Sequence, residues 1–473
     1  MPTPRQLLIL AVALCFAFLG CDSDPPSSST QGGTSDVGAD TESDAGGRDA
    51  AADVASDARG EDADAAADAE DPSDVVEDGG PDDVAVDTED AAGDAAEDVA
   101  EDVAEDVAED VAEDVVTTLE WHTPECQTVA SAAFTFTKDE GASLAPRTQA
   151  LTGIAYTQGL VALDLPNTLL GTSSNVLSVS RDAGCTWTEV EALSGFEYPA
   201  VLVRGAEGRA WARAPNSDVV YRIDVIADGV QVERLGIRLG EILGIGPDPV
   251  RPERVVLGTR DGTLHESVDH GGIFRQLGGP ASDSGGGLAY TLTFDPTDPL
   301  HAVYGEAGSA SVSFDGGQVW TRASGMASVP DGRTNVFSLA IHRADPNVVW
   351  AMGIDIAETL QNPQPSHSGK HLYRSADGGR TFVRVADRSA ELVLINGPVM
   401  AAHPTDPEVL YVVFGTCFQG YGTDLYRVAA NGDMTLTHSD VHEIGAIDFA
   451  PNAAEVMFLG ITNEAGSGGC GGG

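Results

Sequence analysis

Ser180-Arg181-Asp182-Ala183-Gly184-Cys185-Thr186-Trp187 is the first of four segments with one spelling, Ser-x-Asp-x-Gly-x-(Thr or aliphatic)-aromatic. The others place Ser267, Asp269, Gly271, Ile273 and Phe274; Ser313, Asp315, Gly317, Val319 and Trp320; and Ser375, Asp377, Gly379, Thr381 and Phe382. A fixed spelling at long intervals is the mark of a repeat architecture. The boxed aspartates are spaced 87, 46 and 62 residues apart. Turn-forming Asp-Pro pairs at Asp248, Asp298, Asp345 and Asp406 are spaced 50, 47 and 61 apart. The two series agree once 87 is read as two units, one without its box. That unit is visible at Val220-Tyr221-Arg222, which parallels Leu372-Tyr373-Arg374, and another decayed copy follows Leu425-Tyr426-Arg427.

The four segments resemble Asp boxes, the signature of sialidase-like and sortilin-like β-propellers. Short β-rich runs separated by Gly, Pro, Asn and Asp from residue 117 onward fit an all-β domain. The resemblance implies one seven-bladed propeller over residues 117–473, with units starting near 152, 196, 241, 288, 335, 395 and 442. The last has two strands of its own, Ile444 to Phe449 and Val456 to Ile461. Stretches around Leu119 to His122 and Val129 to Lys138 are expected to supply its outer strands, which would remove the open edges. The alternative is a six-bladed ring with a terminal hairpin.

The resemblance also implies that Asp182, Asp269, Asp315 and Asp377 are structural. In an Asp box the carboxylate accepts hydrogen bonds within its turn, glycine takes positive φ, and the aromatic covers the hairpin. A sialidase would need an arginine triad, a tyrosine paired with a glutamate, and a Phe/Tyr-Arg-Ile-Pro motif near the start. Tyr221-Arg222-Ile223-Asp224 comes nearest and reads as an ordinary strand. No Gly-x-Ser-x-Gly nucleophile elbow is present. His438 and His442, or His367 and His371, have metal-ligand spacing only on a helix, so no metal or other cofactor is expected.

Upstream, residues 1–20 read as an export signal, with Arg5 ahead of the apolar run Leu7 to Leu19. The run ends at Phe18-Leu19-Gly20-Cys21, which resembles a bacterial lipobox and implies lipidation at Cys21. Residues 21–116 are then a disordered tether. Positions 22 to 116 hold 34 of the 75 acidic residues, against Arg48 and Arg59, and lack aromatics. Five tandem Ala-Glu-Asp-Val copies close it, stacking like charges at i,i+4 where a helix would repel itself. A formal net charge of -50 excludes nucleic acid as a partner.

Cys126, Cys185, Cys417 and Cys470 remain for an oxidising compartment. Three connectivities are possible, and the blade alignment favours Cys126 with Cys185 and Cys417 with Cys470. Asp-Pro and Asp-box turns share one rim, so the connections after second strands lie on the other. Three of those are long, Asp355 to Lys370, Thr416 to Asp424 and Thr462 to Gly473. They offer Gln361, Asn362, His367, Lys370, Phe418, Gln419 and Tyr421 to a peptide or glycan. The expected function is a monomeric, lipid-anchored binding module of the bacterial cell envelope, at the outer membrane or cell surface, recognising a protein, peptide or glycan. The alternative is a diverged glycan-active hydrolase.

Overall fold

The computed structural model describes residues 120–149, 157–195, 200–281, 289–361, 369–387, 399–414, 423–440, 442–451 and 453–464. All of them belong to the compact unit that holds Thr117–Gly473. Six antiparallel sheets follow one another along the chain, each a four-stranded meander. Blade one is β2 (Thr157–Ala162), β3 (Leu169–Ser173), β4 (Val176–Ser180) and β5 (Thr188–Ala192). Blade two is β6 (Val201–Arg204), β7 (Arg209–Arg213), β8 (Val220–Ile226) and β9 (Gly229–Arg234). Blade three is β10 (Ile242–Pro247), β11 (Val255–Thr259), β12 (Leu264–Ser267) and β13 (Arg275–Gly278). Blade four is β14 (Ala289–Phe294), β15 (Ala302–Glu306), β16 (Ser309–Ser313) and β17 (Thr321–Arg322). Blade five is β18 (Thr334–Ile341), β19 (Val349–Asp355), β20 (Lys370–Ser375) and β21 (Phe382–Asp387). Blade six is β22 (Met400–Ala402), β23 (Val409–Phe414), β24 (Thr423–Ala429) and β25 (Met434–Asp440).

The burial of each strand follows from its place in the blade. Second strands are covered on both faces, so β11 is buried throughout and reads as Val-Val-Leu-Gly-Thr without polar alternation. Outermost strands face water, and β5 reads Thr-Glu-Val-Glu-Ala. Apolar clusters form between blades. One joins Leu170 and Leu177 of blade one to Ala212 and Ile223 of blade two, and the next joins Trp211 to Val255 and Leu257. The series continues around the ring until Phe134, Ala446 and Phe458 meet Leu160 and Leu169 of blade one. Every neighbouring pair, including the last with the first, shares a core, so the molecule is an all-β, seven-bladed propeller.

Blade seven is built from both ends of the domain. Its sheet has the order β1-β27-β26, from β26 (His442–Ala450), β27 (Ala453–Glu464) and β1 (Phe134–Thr137). Phe134 pairs with Gly460 and Thr137 with Met457. A closer approach is visible at Gly171, where a Cβ would come within 2.4 Å of the Phe134 ring. The same ring stacks on Trp187 at 4.1 Å. Beyond β1 the chain turns back, and Ala145 N–H donates to Phe136 O at 2.9 Å. Of the two outer stretches expected, only the second contributes a strand. Glu120 to His122 form none, because Trp121 is instead buried against blade one, its indole donating to Leu163 O at 3.1 Å.

The two kinds of turn share a rim. Backbone bonds run from the third-to-fourth turn to the first-to-second turn of one blade, as from Ala183 N to Asn167 O and from Gly378 N to Asn347 O, both 2.8 Å. The phase of one Asp-Pro pair needs correcting. Asp248 Oδ1 accepts from Val250 N and Arg251 N at 3.0 and 2.9 Å. Asp295 does so from Thr297 N and Asp298 N, and His342 Nδ1 from Ala344 N and Asp345 N. Asp248 therefore corresponds to Asp295, and Arg251-Pro252 corresponds to Asp298-Pro299. The interval of 50 residues becomes 47.

Cys126 and Cys185 are disulfide-bonded, with Cα atoms 5.8 Å apart. The blade alignment behind that pairing sets Cys126 in the box turn of blade seven, and the structure corrects that placement. Cys126 does not occupy the box turn of blade seven, but a segment lying along blade one, where Ala130 N–H donates to Cys185 O at 2.8 Å. Cys417 and Cys470 lie outside the described residues.

Candidate functional site

The four Ser-x-Asp-x-Gly turns share one internal geometry. The serine hydroxyl donates to Asp Oδ1 at 2.9 Å from Ser180, 2.7 Å from Ser267, 2.8 Å from Ser313 and 2.7 Å from Ser375. The N–H of Gly184, Gly271, Gly317 or Gly379 donates back to that hydroxyl. Thr186, Ile273, Val319 and Thr381 donate their N–H to the same carboxylate. Those glycines have φ between +82° and +95°. Of the aromatics, Phe382 is buried, while Trp187, Phe274 and Trp320 are half-buried.

A fifth turn of this kind follows β1 and escaped the sequence reading. Thr137 donates to Asp139 at 2.7 Å, Gly141 N–H to Thr137 at 2.9 Å, and Ser143 N–H to Asp139 at 2.9 Å. Threonine replaces serine and Leu144 the aromatic, so the spelling was blurred while the hydrogen-bonding groups were kept. All five carboxyls are held below the ordinary carboxylate range. For Asp139, Asp269 and Asp315 the largest cause is a hydrogen bond from the turn itself, given by Ser143, Ser267 and Val319. Burial acts the other way on Asp182 and Asp377, and turn hydrogen bonds outweigh it. Ionised and committed to their own turns, these groups have no proton to give a substrate.

On the opposite rim, blade five carries the most elaborate described structure. A six-residue helix, α1 (Ile356–Gln361), stands inside the connection expected to be an irregular loop. Asp355 caps it, accepting from Ala357 N and Glu358 N at 2.8 and 3.1 Å. Beneath it the nearly buried His371 side chain lies between Glu358 Oε2, 2.9 Å from Nε2, and Asp387 Oδ1, 3.0 Å from Nδ1. Arg384 pairs with Glu358 at 2.7 Å and also with Asp387. Burial opposes the charge on Asp387, but the contacts with Arg384 and His371 together outweigh it and lower that carboxyl. Glu358, His371, Arg384 and Asp387 form one cluster of ion pairs and close polar contacts. It seats the helix on blade five.

Of the residues expected to bind a ligand, Gln361 is exposed at the end of α1 and Lys370 is half-buried at the start of β20. The structure brings these two to one blade and one rim. Asn362, His367, Phe418, Gln419 and Tyr421 lie outside the described residues, as does Cys21. Glu358, Arg384 and Asp387 were missed because they serve an insertion particular to blade five, and a repeat search finds only what recurs. Tyr221-Arg222-Ile223-Asp224 lies in β8, where Arg222 pairs with Asp224 at 2.9 Å and Glu233 at 2.7 Å. At the start of blade two's opposite-rim connection, burial pushes the Arg213 guanidinium down to about 10. Among the described residues no group of three or more His, Cys, Asp or Glu side chains is placed to hold a metal, and no helix is long and apolar enough to cross a membrane.

No protein-family model matches the chain. Among solved structures, YCF48 from Cyanidioschyzon merolae is 12% identical, covering 70% of this chain and 98% of that one with a TM-score of 0.46. An ancestral GH74 enzyme is 15% identical, covering 63% and 40% with a TM-score of 0.40. Among curated proteins, the dispase autolysis-inducing protein of Streptomyces mobaraensis is 43% identical over 347 residues, which is 73% of this chain and 91% of that protein. With that identity spread over nearly the whole of the relative, the chain belongs to the family of the dispase autolysis-inducing protein.

Proposed function

We propose that this chain is an exported interaction module that engages a protease and promotes its self-digestion. The 43% identity to a protein named for inducing autolysis of dispase carries this reading. The geometry is compatible with it: the propeller is cross-braced on one rim by turns that use up their own polar groups, while the blade-five helix stands on the other. In this reading the five box turns make the domain an Asp-box propeller of the sialidase-like and sortilin-like kind used for binding. Residues 1–20 direct export, Cys21 carries lipid, and the acidic stretch to residue 116 holds residues 117–473 away from a bacterial envelope membrane. Gln361, Lys370, Phe418 and Tyr421 supply partner contacts, and Cys417 pairs with Cys470.

The test incubates the purified chain with dispase and follows intact protease by gel and residual activity over time. Faster loss of intact dispase than in the protease alone is expected, with the propeller itself not consumed. Unchanged dispase kinetics together with turnover on a glycosidase substrate panel would reverse the assignment in favour of a hydrolase.

A further inference from the structure

The outer circumference between blades one and two holds a groove of about 530 Å³. One wall is β5, the terminal strand of its sheet, with no further strand on its outer side among the described residues. The other wall is the β8–β9 hairpin, from Ala227 to Val230. Half-buried Val179, Val190 and Val230 give the groove an apolar lining and pack on the core between the two blades. Arg181 ties the walls together by donating to Ile226 O and Gly229 O at 2.7 and 2.9 Å. Its charge is thereby committed to backbone carbonyls. The remaining charged lining residues are Asp182, used by its own turn, and the exposed Glu189 and Asp228.

We propose that this groove receives an extended polypeptide segment of a partner protein that carries Lys or Arg between apolar side chains. An apolar floor beside an exposed strand suits an extended chain, whose alternate side chains enter the groove and leave it. The occupant is basic because Glu189 and Asp228 stand on opposite walls with no cation among the described residues paired to either. A second copy is disfavoured, since two β5 strands meeting would set Glu189 and Glu191 against their own kind. The inference rests on the reading of the propeller as an interaction module, and not on the partner being a protease.

The test uses the full chain and two fluorescein-labelled, end-blocked peptides, Lys-Val-Lys-Val-Lys and Glu-Val-Glu-Val-Glu, by fluorescence anisotropy in 150 mM NaCl. The acidic stretch before residue 117 would attract any basic peptide, so variants of the groove decide the matter. The double variant Glu189→Gln, Asp228→Asn is expected to weaken binding of the lysine peptide about tenfold, the worth of two exposed ion pairs. Glu191→Gln, outside the groove lining, is expected to leave it within about twofold. Glu189→Lys with Asp228→Lys should transfer preference to the glutamate peptide. Unchanged lysine-peptide affinity in the double variant, or no transfer of preference in the reversed one, overturns the proposal. Either result can occur whether or not dispase autolysis is promoted, so the two readings fail separately.

Discussion

Thr137 donates its hydroxyl to Asp139 at 2.7 Å, reproducing in blade seven the bond that Ser180 makes to Asp182 in blade one at 2.9 Å. The stretch that closes the ring from the N-terminal side is thus a full member of the repeat. Its turn also packs on the neighbouring blade, since a Cβ at Gly141 would lie 2.9 Å from Leu425 Cδ2. Asp139→Ala removes an acceptor used by Thr137 and Ser143, and is expected to cost about 1–2 kcal/mol in urea unfolding. Gly141→Ala, which combines φ of +97° with that contact, should cost at least as much.

Acid should loosen the same rim through two histidines. His342 and His403 accept backbone N–H groups at Nδ1, as Asp248 and Asp295 do with carboxylate oxygens. Only a neutral imidazole can accept there, and burial lowers both pKa values below 6.5. A histidine whose folded pKa is depressed contributes full stability above the unfolded value, and loses it as pH falls toward the folded one. The urea midpoint is therefore expected to drop below pH 6.5. The double variant His342→Asn, His403→Asn, which retains an acceptor without a titrating proton, should flatten that drop. An unchanged pH profile would mean that the loss arises elsewhere.

The Cys126–Cys185 bond closes a loop across 59 residues of sequence. Cys126→Ser with Cys185→Ser is expected to lower unfolding free energy by about 2–4 kcal/mol. The ring itself should survive, because β1 keeps its pairing with β27. Far-ultraviolet circular dichroism unchanged at 25 °C, with a reduced denaturant midpoint, is the expected pair of observations.

Seating of α1 depends on Glu358, which faces both His371 and Arg384. Glu358→Gln leaves His371 with Asp387 alone and is expected to raise hydrogen exchange in residues 356–361 by about tenfold, since a partly exposed charged contact contributes on the order of 1 kcal/mol. Exchange in β19 should stay as it was. If the helix exchanges at its original rate, capping by Asp355 alone holds it.

The sequence shows the propeller because box turns must spend Ser, Asp and Gly on backbone hydrogen bonds, and the same need recurs in each blade that keeps the turn. It misled at Asp248, because the capping acid of blades three and four, Asp248 or Asp295, stands three residues before the turn's Arg251-Pro252 or Asp298-Pro299 pair. In blades five and six the capping residue is histidine, so matching residue types alone aligned Asp248 with the wrong partner. Trp121 misled differently: an apolar residue in a short β-prone run marks burial but not what covers it. The candidate site was the least legible. Glu358, His371, Arg384 and Asp387 come together across an insertion, and no periodicity couples residues that meet only through one blade's tertiary packing.

Seen mechanically, the disulfide decides where a pull on the domain is felt. Tension arriving along the chain from before Trp121 meets that residue's contacts with blade one and then Cys126, where it passes through a covalent bond into the same blade, beside Thr186. The four residue pairs between β1 and β27, which would otherwise unzip one by one, lie downstream of that bond and are spared the force. The ring is moored by one of its walls, and the strand that closes it stays slack.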